Sequence, residues 1–389
     1  MIRPRLALLV LAAALLLVHH RLLLGEVFFW GLPSLQFVPW RDYVFDALRF
    51  GQLPLWNPYN GAGAPLFSNY QSALLYPPNW LGMVLPLAWS MSVTAVIHLF
   101  VAGWGMWAFT GRLGALPLGR GVSALAFGMT AYLVARLGTF PLISAAAWLP
   151  WLLWAAHGVL TTGKRRDAAW LALFAALLLL AGHAQTAWYS LLLVALYSAW
   201  YALRFPAGRG RGSGLRRLLA VGAVIALGAG VAALQLLATA ELLGTSQRSE
   251  GVGYDFAMNF SYDLVRSLNL IAPNSFGAPA DGTYLVQGYY FEYAVYVGLI
   301  PLISAAAALI GWLRTRRDRE RPESYRFVPF WALVVLVAFV LALGRNSPVF
   351  PFLYGNVPTF DLFQAPVRWH LWTACGLSVL AGIGVSAWG

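Results

Sequence analysis

Apolar stretches of about 20 residues recur along this chain, and they constrain its fold more than any other feature. A helix of that length spans the hydrocarbon core of a bilayer, which is about 30 Å thick. Of the 389 residues, 60% are hydrophobic and only 10% are charged, whereas about a quarter are charged in an average soluble domain. Because only lipid can accommodate so much apolar surface, the sequence predicts an all-α, polytopic transmembrane helical bundle.

The apolar stretches predict about ten transmembrane helices in one domain that covers residues 1–389. The first stretch follows Arg3 and Arg5, as in a signal peptide, but no small-residue cleavage site comes after it, which favours a retained helix. The final helix ends close to Gly389, so we expect the natural protein to continue further. The predicted helices lie at about 6–24, 88–110, 118–135, 142–160, 168–182, 186–203, 218–238, 293–313, 328–344 and 369–388.

Positive charge collects in alternate loops, which is the pattern of cytoplasmic loops in membrane proteins. Most of the 26 lysine and arginine residues fall on the side of the amino terminus, so that terminus is predicted to be cytoplasmic. The two long loops, at about 25–87 and 239–292, are then extracytoplasmic. Because topology explains the net charge of +12, the charge does not indicate a nucleic-acid partner. The outer basic residues are Arg21, Arg41, Arg49, Arg136, Arg248, Arg266, Arg345 and Arg368.

The acidic residues gather on the outer side, and the orientation rule does not require this. One explanation of this excess of acidic residues is that the outer loops are longer and have more room for polar residues. The other explanation is that a reaction takes place on the outer face and uses polar side chains. The contents of the first outer loop favour chemistry.

Two carboxylates in the first outer loop, Asp42 and Asp46, stand four residues apart and would share one face of a helix. A carboxylate there can act as a general base for a hydroxyl that attacks an activated sugar carbon. The spacing alone suits solvated residues of an interfacial helix at least as well. The segment that follows favours the catalytic interpretation because it combines proline and glycine with amide and aromatic side chains. Those that we expect to bind substrate are Trp56, Asn57, Tyr59, Asn69 and Gln71.

Polar residues near the outer ends of later helices form a second set of candidates. His183 and Gln185 follow Gly182, and polar groups at membrane depth indicate function by default, although a helix cap explains them equally well. Glu292 can bind a sugar hydroxyl, support the base, or act as a favourable anion at a helix amino terminus. Arg368 suits a phosphate, whose oxygens match its forked donors, but an arginine there can also extend to lipid headgroups.

Several kinds of site are absent from the sequence. It has no P-loop, dinucleotide fingerprint or Ser/His/Asp elbow, so soluble nucleotide cofactors are not expected. His19, His20, His98 and His157 lack carboxylate or cysteine partners at ligand spacing, so they are interpreted as packing or interfacial residues and no zinc site is predicted.

Six segments carry a likeness to a known family, and they follow the same order along nearly the whole chain. They are GQLPLWNPYNGAGAPL (51–66), YQSALLYPPNWL (70–81), WLPW (148–151), GHAQTAWY (182–189), EYAVYVGLIPL (292–302) and FQAPVRW (363–369). Through these segments the chain resembles the YfhO family of bacterial membrane proteins, within the GT-C glycosyltransferase superfamily. The loop at 51–81 is the most specific of them.

The resemblance implies a GT-C-like fold, a polyprenyl-phosphate sugar as donor, and transfer on the outer face of the bacterial cytoplasmic membrane. It also implies a catalytic carboxylate at Asp42, with Asp46 as second choice, and a ligand of the lipid phosphate at Arg368. The chain lacks an Asp-x-Asp pair. No cofactor is therefore assigned, and the need for a divalent metal is left open.

We therefore expect an inverting glycosyltransferase that moves a sugar onto a cell-envelope polymer, lipid or protein. A single base suffices when the hydroxyl attacks opposite the leaving phosphate. The alternative is a transporter or flippase of lipid-linked sugars without chemistry, which predicts polar residues in mid-span on several helices. A structural scaffold is a third possibility, but it leaves the amide-rich loop unexplained.

Overall fold

A computed structural model describes residues 6–205, 212–318 and 321–387. Within those ranges helices make up nearly all of the regular structure, and the one sheet consists of two short strands. The predicted all-α class is confirmed. Six described helical segments are long and apolar enough to cross a membrane, so the prediction of ten spans stays a prediction. The six are Leu87–Arg112, Phe140–Thr162, Ala184–Arg204, Gly214–Val231, Glu323–Ala342 and Pro366–Ser386.

Short 3-10 turns and one π-helical segment, Pro33–Phe37, lie between the longer helices and the strands. The strands are β1 (Trp56–Asn57) and β2 (Ala64–Pro65), which pair antiparallel. The helices are α1 (Leu6–Val18), α2 (Val38–Arg49), α3 (Leu87–Arg112), α4 (Pro117–Gly128), α5 (Ala131–Val134), α6 (Phe140–Ala146), α7 (Leu149–Thr162), α8 (Arg165–Leu180), α9 (Ala184–Arg204), α10 (Gly212–Val231), α11 (Ala233–Gly244), α12 (Tyr254–Ala257), α13 (Leu299–Thr315), α14 (Val328–Ala342), α15 (Val349–Asn356) and α16 (His370–Ser386).

The chain divides into two compact units, each assembled from separate stretches of sequence. The first unit comprises Met1–Ala13, Ala102–Arg136 and Glu250–Gly389. The second unit comprises Ala14–Val101 and Leu137–Ser249.

In the first unit, α16 is buried from His370 to Val385 and packs against α4, α13 and α14. Small residues let the backbones approach closely, as is usual for helices in membranes. A side chain at Gly384 would overlap the carbonyl of Ser304 in α13. On another side of α16, the hydroxyl of Ser123 in α4 donates a hydrogen bond of 2.6 Å to the carbonyl of Ser378.

In the second unit, α7, α8, α9 and α10 pack on one another. The short helix α2 is amphipathic and lies against the segment that follows it. Val44 and Phe45 on its inner face form a buried cluster with Leu66 and Leu74. This cluster fixes the orientation of α2, and therefore decides which of its side chains are exposed.

The predicted helices at 118–135 and 142–160 are interrupted, each for a local reason. The predicted helix at 118–135 breaks after Gly128, because Thr130 is extended and the backbone N–H of Ala131 donates to the carbonyl of Tyr296 at 2.8 Å. The predicted helix at 142–160 breaks after Ala146 and restarts at Leu149, where Pro150 occupies a first-turn position. Proline suits the first turn of a helix because the N–H that it lacks would have no partner there.

Candidate functional site

The two carboxylates of the first predicted outer loop share the exposed face of α2, so the predicted helical spacing is confirmed. Asp46 accepts a hydrogen bond of 2.8 Å from the guanidinium of Arg49, at the surface. Asp42 forms no ion pair or hydrogen bond with any side chain in the parts of the chain that the structure describes. Of the two, Asp42 is therefore the carboxylate left available to a substrate hydroxyl.

The segment after α2 forms a tight hairpin that displays two aromatic rings. The side-chain oxygen of Asn57 accepts a hydrogen bond of 3.0 Å from the backbone N–H of Tyr59, which builds the turn. Gly63 has φ +101° and lies directly under the Trp56 indole, where a Cβ would collide with the ring. Trp56 is half exposed, and Tyr59 is 82% exposed with its ring edge-on to Tyr43 of α2 at 5.7 Å between centroids.

The amide side chains of this segment largely serve its own backbone. Asn69 accepts a hydrogen bond of 3.1 Å from the N–H of Gln71 and caps a 3-10 turn. The Gln71 side-chain oxygen in turn accepts from Gln36 at 3.0 Å. Asn79 donates to the carbonyl of Ala73 at 2.9 Å. Turn formation thus accounts for much of the amide density, and the predicted role of Asn57, Asn69 and Gln71 in binding substrate stays a prediction.

The GHAQ motif forms the predicted turn between α8 and α9. Gly182 has φ +84° and lies so close to Tyr70 and Ala73 that a Cβ would approach the Tyr70 carbonyl to 2.6 Å. The motif therefore packs onto the turn at residues 70–73, which places it against the first outer loop within the same unit.

Both polar residues of GHAQ are buried. His183 is the amino-terminal cap of α9, and its Nδ1 accepts a hydrogen bond of 3.2 Å from the backbone N–H of Thr186. Gln185 donates to the hydroxyl of Tyr189 at 2.9 Å. The interpretation of His183 as a helix cap is confirmed, and a substrate contact at either residue stays a prediction.

Arg41 lies on the inner face of α2 and is only 5% exposed. Its guanidinium carbon is 5.9 Å from the centre of the Phe140 ring. Among the described residues, no carboxylate lies within ion-pair distance of the Arg41 guanidinium, and the guanidinium donates no hydrogen bond to any of them. Burial lowers the pKa of Arg41 to about 10, so the side chain stays charged at neutral pH. The charge pattern of the sequence predicts Arg41 only as one of the outer basic residues and does not predict its burial.

A chain of hydrogen bonds lies close to this buried cation. The Trp148 indole donates to the Tyr76 hydroxyl at 2.8 Å, and that hydroxyl lies 2.6 Å from His98 Nε2. His98 Nδ1 lies 2.6 Å from the carbonyl of Thr94, which can only accept, so Nδ1 carries a proton and Nε2 of the neutral ring accepts from Tyr76. Burial raises the pKa of Tyr76, and the phenol stays neutral. No member of this chain offsets the charge of Arg41.

The first unit contains a different arrangement, in which one carboxylate bridges two arginines. Arg368 contacts Glu292 through Nη2 at 2.5 Å and through Nε at 3.2 Å to both carboxylate oxygens. Arg136 donates to the backbone carbonyl of Glu292 at 2.7 Å and to its carboxylate at 3.3 Å. Burial alone would raise the pKa of Glu292, but Arg368 and Arg136 outweigh it and lower the pKa to about 2.

This bridge bears on two sequence predictions. The predicted roles of Glu292 toward a sugar or the base, and of Arg368 toward a phosphate, stay predictions, but each group already has a charged partner. Sequence reasoning treated Arg136 only as one of the outer arginines. Its position at the end of a predicted apolar helix was the available signal, because charged residues at such depth usually have a partner.

The predicted site residues thus fall in both units. The second unit holds Asp42, Asp46, Trp56, Asn57, Tyr59, Asn69, Gln71, His183 and Gln185, whereas the first holds Glu292 and Arg368. Asp42 and Asp46 supply two carboxylates, and no group of three or more His, Cys, Asp or Glu suited to a metal ion occurs among the described residues. In comparisons with known proteins, no family model, curated protein or solved structure matches this chain.

Proposed function

We propose that this protein is a membrane glycosyltransferase, which moves a sugar from a polyprenyl-phosphate donor to a cell-envelope acceptor on the outer face of the bacterial cytoplasmic membrane. The observation that carries the proposal is the exposed, unpartnered carboxylate of Asp42 on a helix whose next residue, Tyr43, packs against the exposed ring of Tyr59. The six apolar helical segments, which suit a lipid-linked substrate, also support it.

Asp42 acts as the general base. Its carboxylate takes the proton from the acceptor hydroxyl while that oxygen forms a bond to the anomeric carbon. The bond from this carbon to the donor phosphate breaks, and its electron pair leaves with the phosphate. Because attack comes from the opposite face, the anomeric configuration is inverted.

The aromatic rings beside α2 hold the sugar. Trp56 is half exposed and Tyr59 almost fully exposed, so both offer apolar faces to a sugar ring, and their polar edges remain available for hydrogen bonds. The hairpin that carries them is fixed by the Asn57 turn and by the close packing of Gly63. These rings therefore need little reorganisation before a sugar binds.

The transporter alternative predicts polar residues in mid-span that line a path. His157 in α7 and Tyr197 in α9 are polar residues of this kind, but both are buried and hydrogen-bonded to each other at 2.7 Å. That contact joins two helices, which supports a packing role and favours the enzyme.

The test measures transfer of radiolabelled sugar from polyprenyl phosphate by the purified protein. We expect Asp42→Asn to lower the rate by about 10²- to 10⁴-fold, which is the usual contribution of general base catalysis. Asp46→Asn should retain most of the activity because Asp46 is already paired with Arg49. The reverse result would assign the base to Asp46. Full activity in both variants, or no transfer by the wild type to polymer, lipid or protein acceptors, would contradict the proposal.

A further inference from the structure

We propose that Arg41 is the group that binds the phosphate of the substrate. The inference rests on the proposed function for the identity of the ligand as a phosphate-bearing lipid. The presence of an anion site does not depend on the proposed function, because it follows from the surroundings of the Arg41 side chain.

The three arginines that are buried within the described ranges differ in one respect. Arg136 is paired with Glu292, and Arg266 is paired with Asp263 at 3.5 Å and also donates to a backbone carbonyl at 2.8 Å. Arg41 is buried to the same degree and has neither kind of partner in those ranges. An isolated buried charge is costly, because water no longer solvates it and no counter-charge replaces the water. A ligand anion at Arg41 would supply the missing counter-charge.

The guanidinium nitrogens of Arg41 are not fully enclosed. None of its side-chain nitrogens is among the fully enclosed and unbonded polar atoms of the described chain. Its forked donors match two oxygens of a phosphate at once. The nearby Tyr76 hydroxyl stays protonated and is hydrogen-bonded to the His98 ring, so neither side chain offers the cation a competing anion.

Arg41 is the sequence neighbour of the proposed base. Arg41 immediately precedes Asp42, and consecutive Cα atoms are about 3.8 Å apart. Because neighbouring residues of a helix point in different directions, a phosphate held at Arg41 would lie on the inner side of α2, and the sugar attached to it would have to extend around the helix to reach the exposed carboxylate of Asp42. The phosphate ligand that the family resemblance implies is Arg368, but that guanidinium already contacts both carboxylate oxygens of Glu292.

The experiment measures binding rather than transfer, with the full chain in detergent and calorimetric titration. The probes are farnesyl phosphate, farnesol and inorganic phosphate. We expect the wild type to bind farnesyl phosphate at least tenfold more tightly than farnesol. Arg41→Met should abolish that preference, and Arg41→Lys should retain part of it. Arg49→Met is the matched control, because Arg49 lies on the same helix but is exposed and paired with Asp46, and this variant should bind like the wild type.

The inorganic phosphate arm identifies the source of the anion. Arg41-dependent binding of farnesyl phosphate that is tighter than that of inorganic phosphate supports a lipid-linked ligand, and equal binding of the two supports free phosphate at the same anion site. Unchanged binding of farnesyl phosphate by Arg41→Met would overturn the proposal.

Thermal unfolding separates a binding role from a structural one. Without ligand, Arg41→Met should be at least as stable as the wild type, because the substitution removes an unpaired buried charge. Farnesyl phosphate should raise the Tm of the wild type but not that of the variant. A variant that is less stable and yet gains the same Tm increase with ligand would overturn the proposal. Arg41-dependent binding without sugar transfer would contradict the glycosyltransferase proposal but not the phosphate site. Sugar transfer with an unchanged KM in Arg41→Met would contradict the phosphate site but not the glycosyltransferase proposal.

Discussion

Glu292 is a single carboxylate that neutralises two guanidiniums in a place from which water is largely excluded. Removing one partner of a buried ion pair typically costs about 3–5 kcal/mol, because the remaining charge is left uncompensated. We therefore expect Glu292→Gln to lower the free energy of unfolding by about that amount. Denaturant unfolding in detergent measures it. The matched control is Glu323→Gln, which breaks a pair whose carboxylate is exposed and should change stability by less than about 1 kcal/mol.

The pH dependence of this difference provides a further check of the same prediction. The pKa of Glu292 is lowered from 4.5 to about 2 in the folded protein, so its stabilising contribution is complete above pH 4.5 and is lost as the pH falls toward 2. The stability gap between wild type and Glu292→Gln should therefore narrow across that range. A gap that stays constant down to pH 2 would show that the carboxylate is not held ionised by the two arginines.

The helix face on which a residue lies could be predicted from the sequence where the spacing of nearby residues decides it. The four-residue separation of Asp42 and Asp46 was enough to place them on one face of a helix. The burial of Arg41 also had a signal in the sequence, because Val44 and Phe45 follow it by three and four residues and so share its face. The partners of Glu292 had no local signal, since Arg136 and Arg368 are distant in sequence and meet it only after folding.

At the scale of helices and strands, the apolar pattern predicted where helices exist better than where they end. The predicted helix at 293–313 begins only at Leu299, because Gly298 with φ +100° separates it from the turn that carries Glu292. The predicted helix at 218–238 is two helices, α10 and α11, which divide at Ala232. Hydropathy cannot detect such breaks because the residues on both sides of them are equally apolar.

The close packing of α16 leads to a prediction about glycine. A methyl group at Gly384 would overlap the backbone of Ser304, so Gly384→Ala should push α13 and α16 apart and destabilise the protein by about 1–3 kcal/mol. Gly222, in the exposed middle of α10, has nothing within 4 Å of such a methyl group. Gly222→Ala should therefore be neutral or stabilising by up to about 1 kcal/mol. Thermal unfolding of the two variants compares them, and equal effects would contradict the packing explanation.

At the scale of the whole molecule, composition predicted the membrane class but not the number of spans. Six described helical segments are long and apolar enough to cross a bilayer, whereas α1, α11 and α13 are apolar but shorter. Large apolar side chains remain exposed on several helices, such as Leu17, Leu227 and Leu336, and lipid contact explains their exposure. Counting apolar stretches in the sequence does not distinguish a crossing helix from a shorter one, so the number of ten spans stays a prediction.

The predicted orientation can be tested by labelling with a membrane-impermeant thiol reagent in intact cells. Asn60→Cys lies in the first predicted outer loop and should react, whereas Lys164→Cys lies in a basic loop between α7 and α8 and should react only after the cells are opened. The native Cys375 is fully buried and should give little background. Labelling of Lys164→Cys but not of Asn60→Cys in intact cells would reverse the predicted topology.

The complete burial of α16 also has a consequence for biosynthesis. Its partners α4, α13 and α14 are all translated before it, and α4 already ends at Gly128, far ahead of α16 in the sequence. Their facing surfaces therefore have no permanent partner until residues 370–386 leave the ribosome. During that interval lipid or the insertion machinery must cover them, and the first unit can be completed only after the second has been fully synthesised.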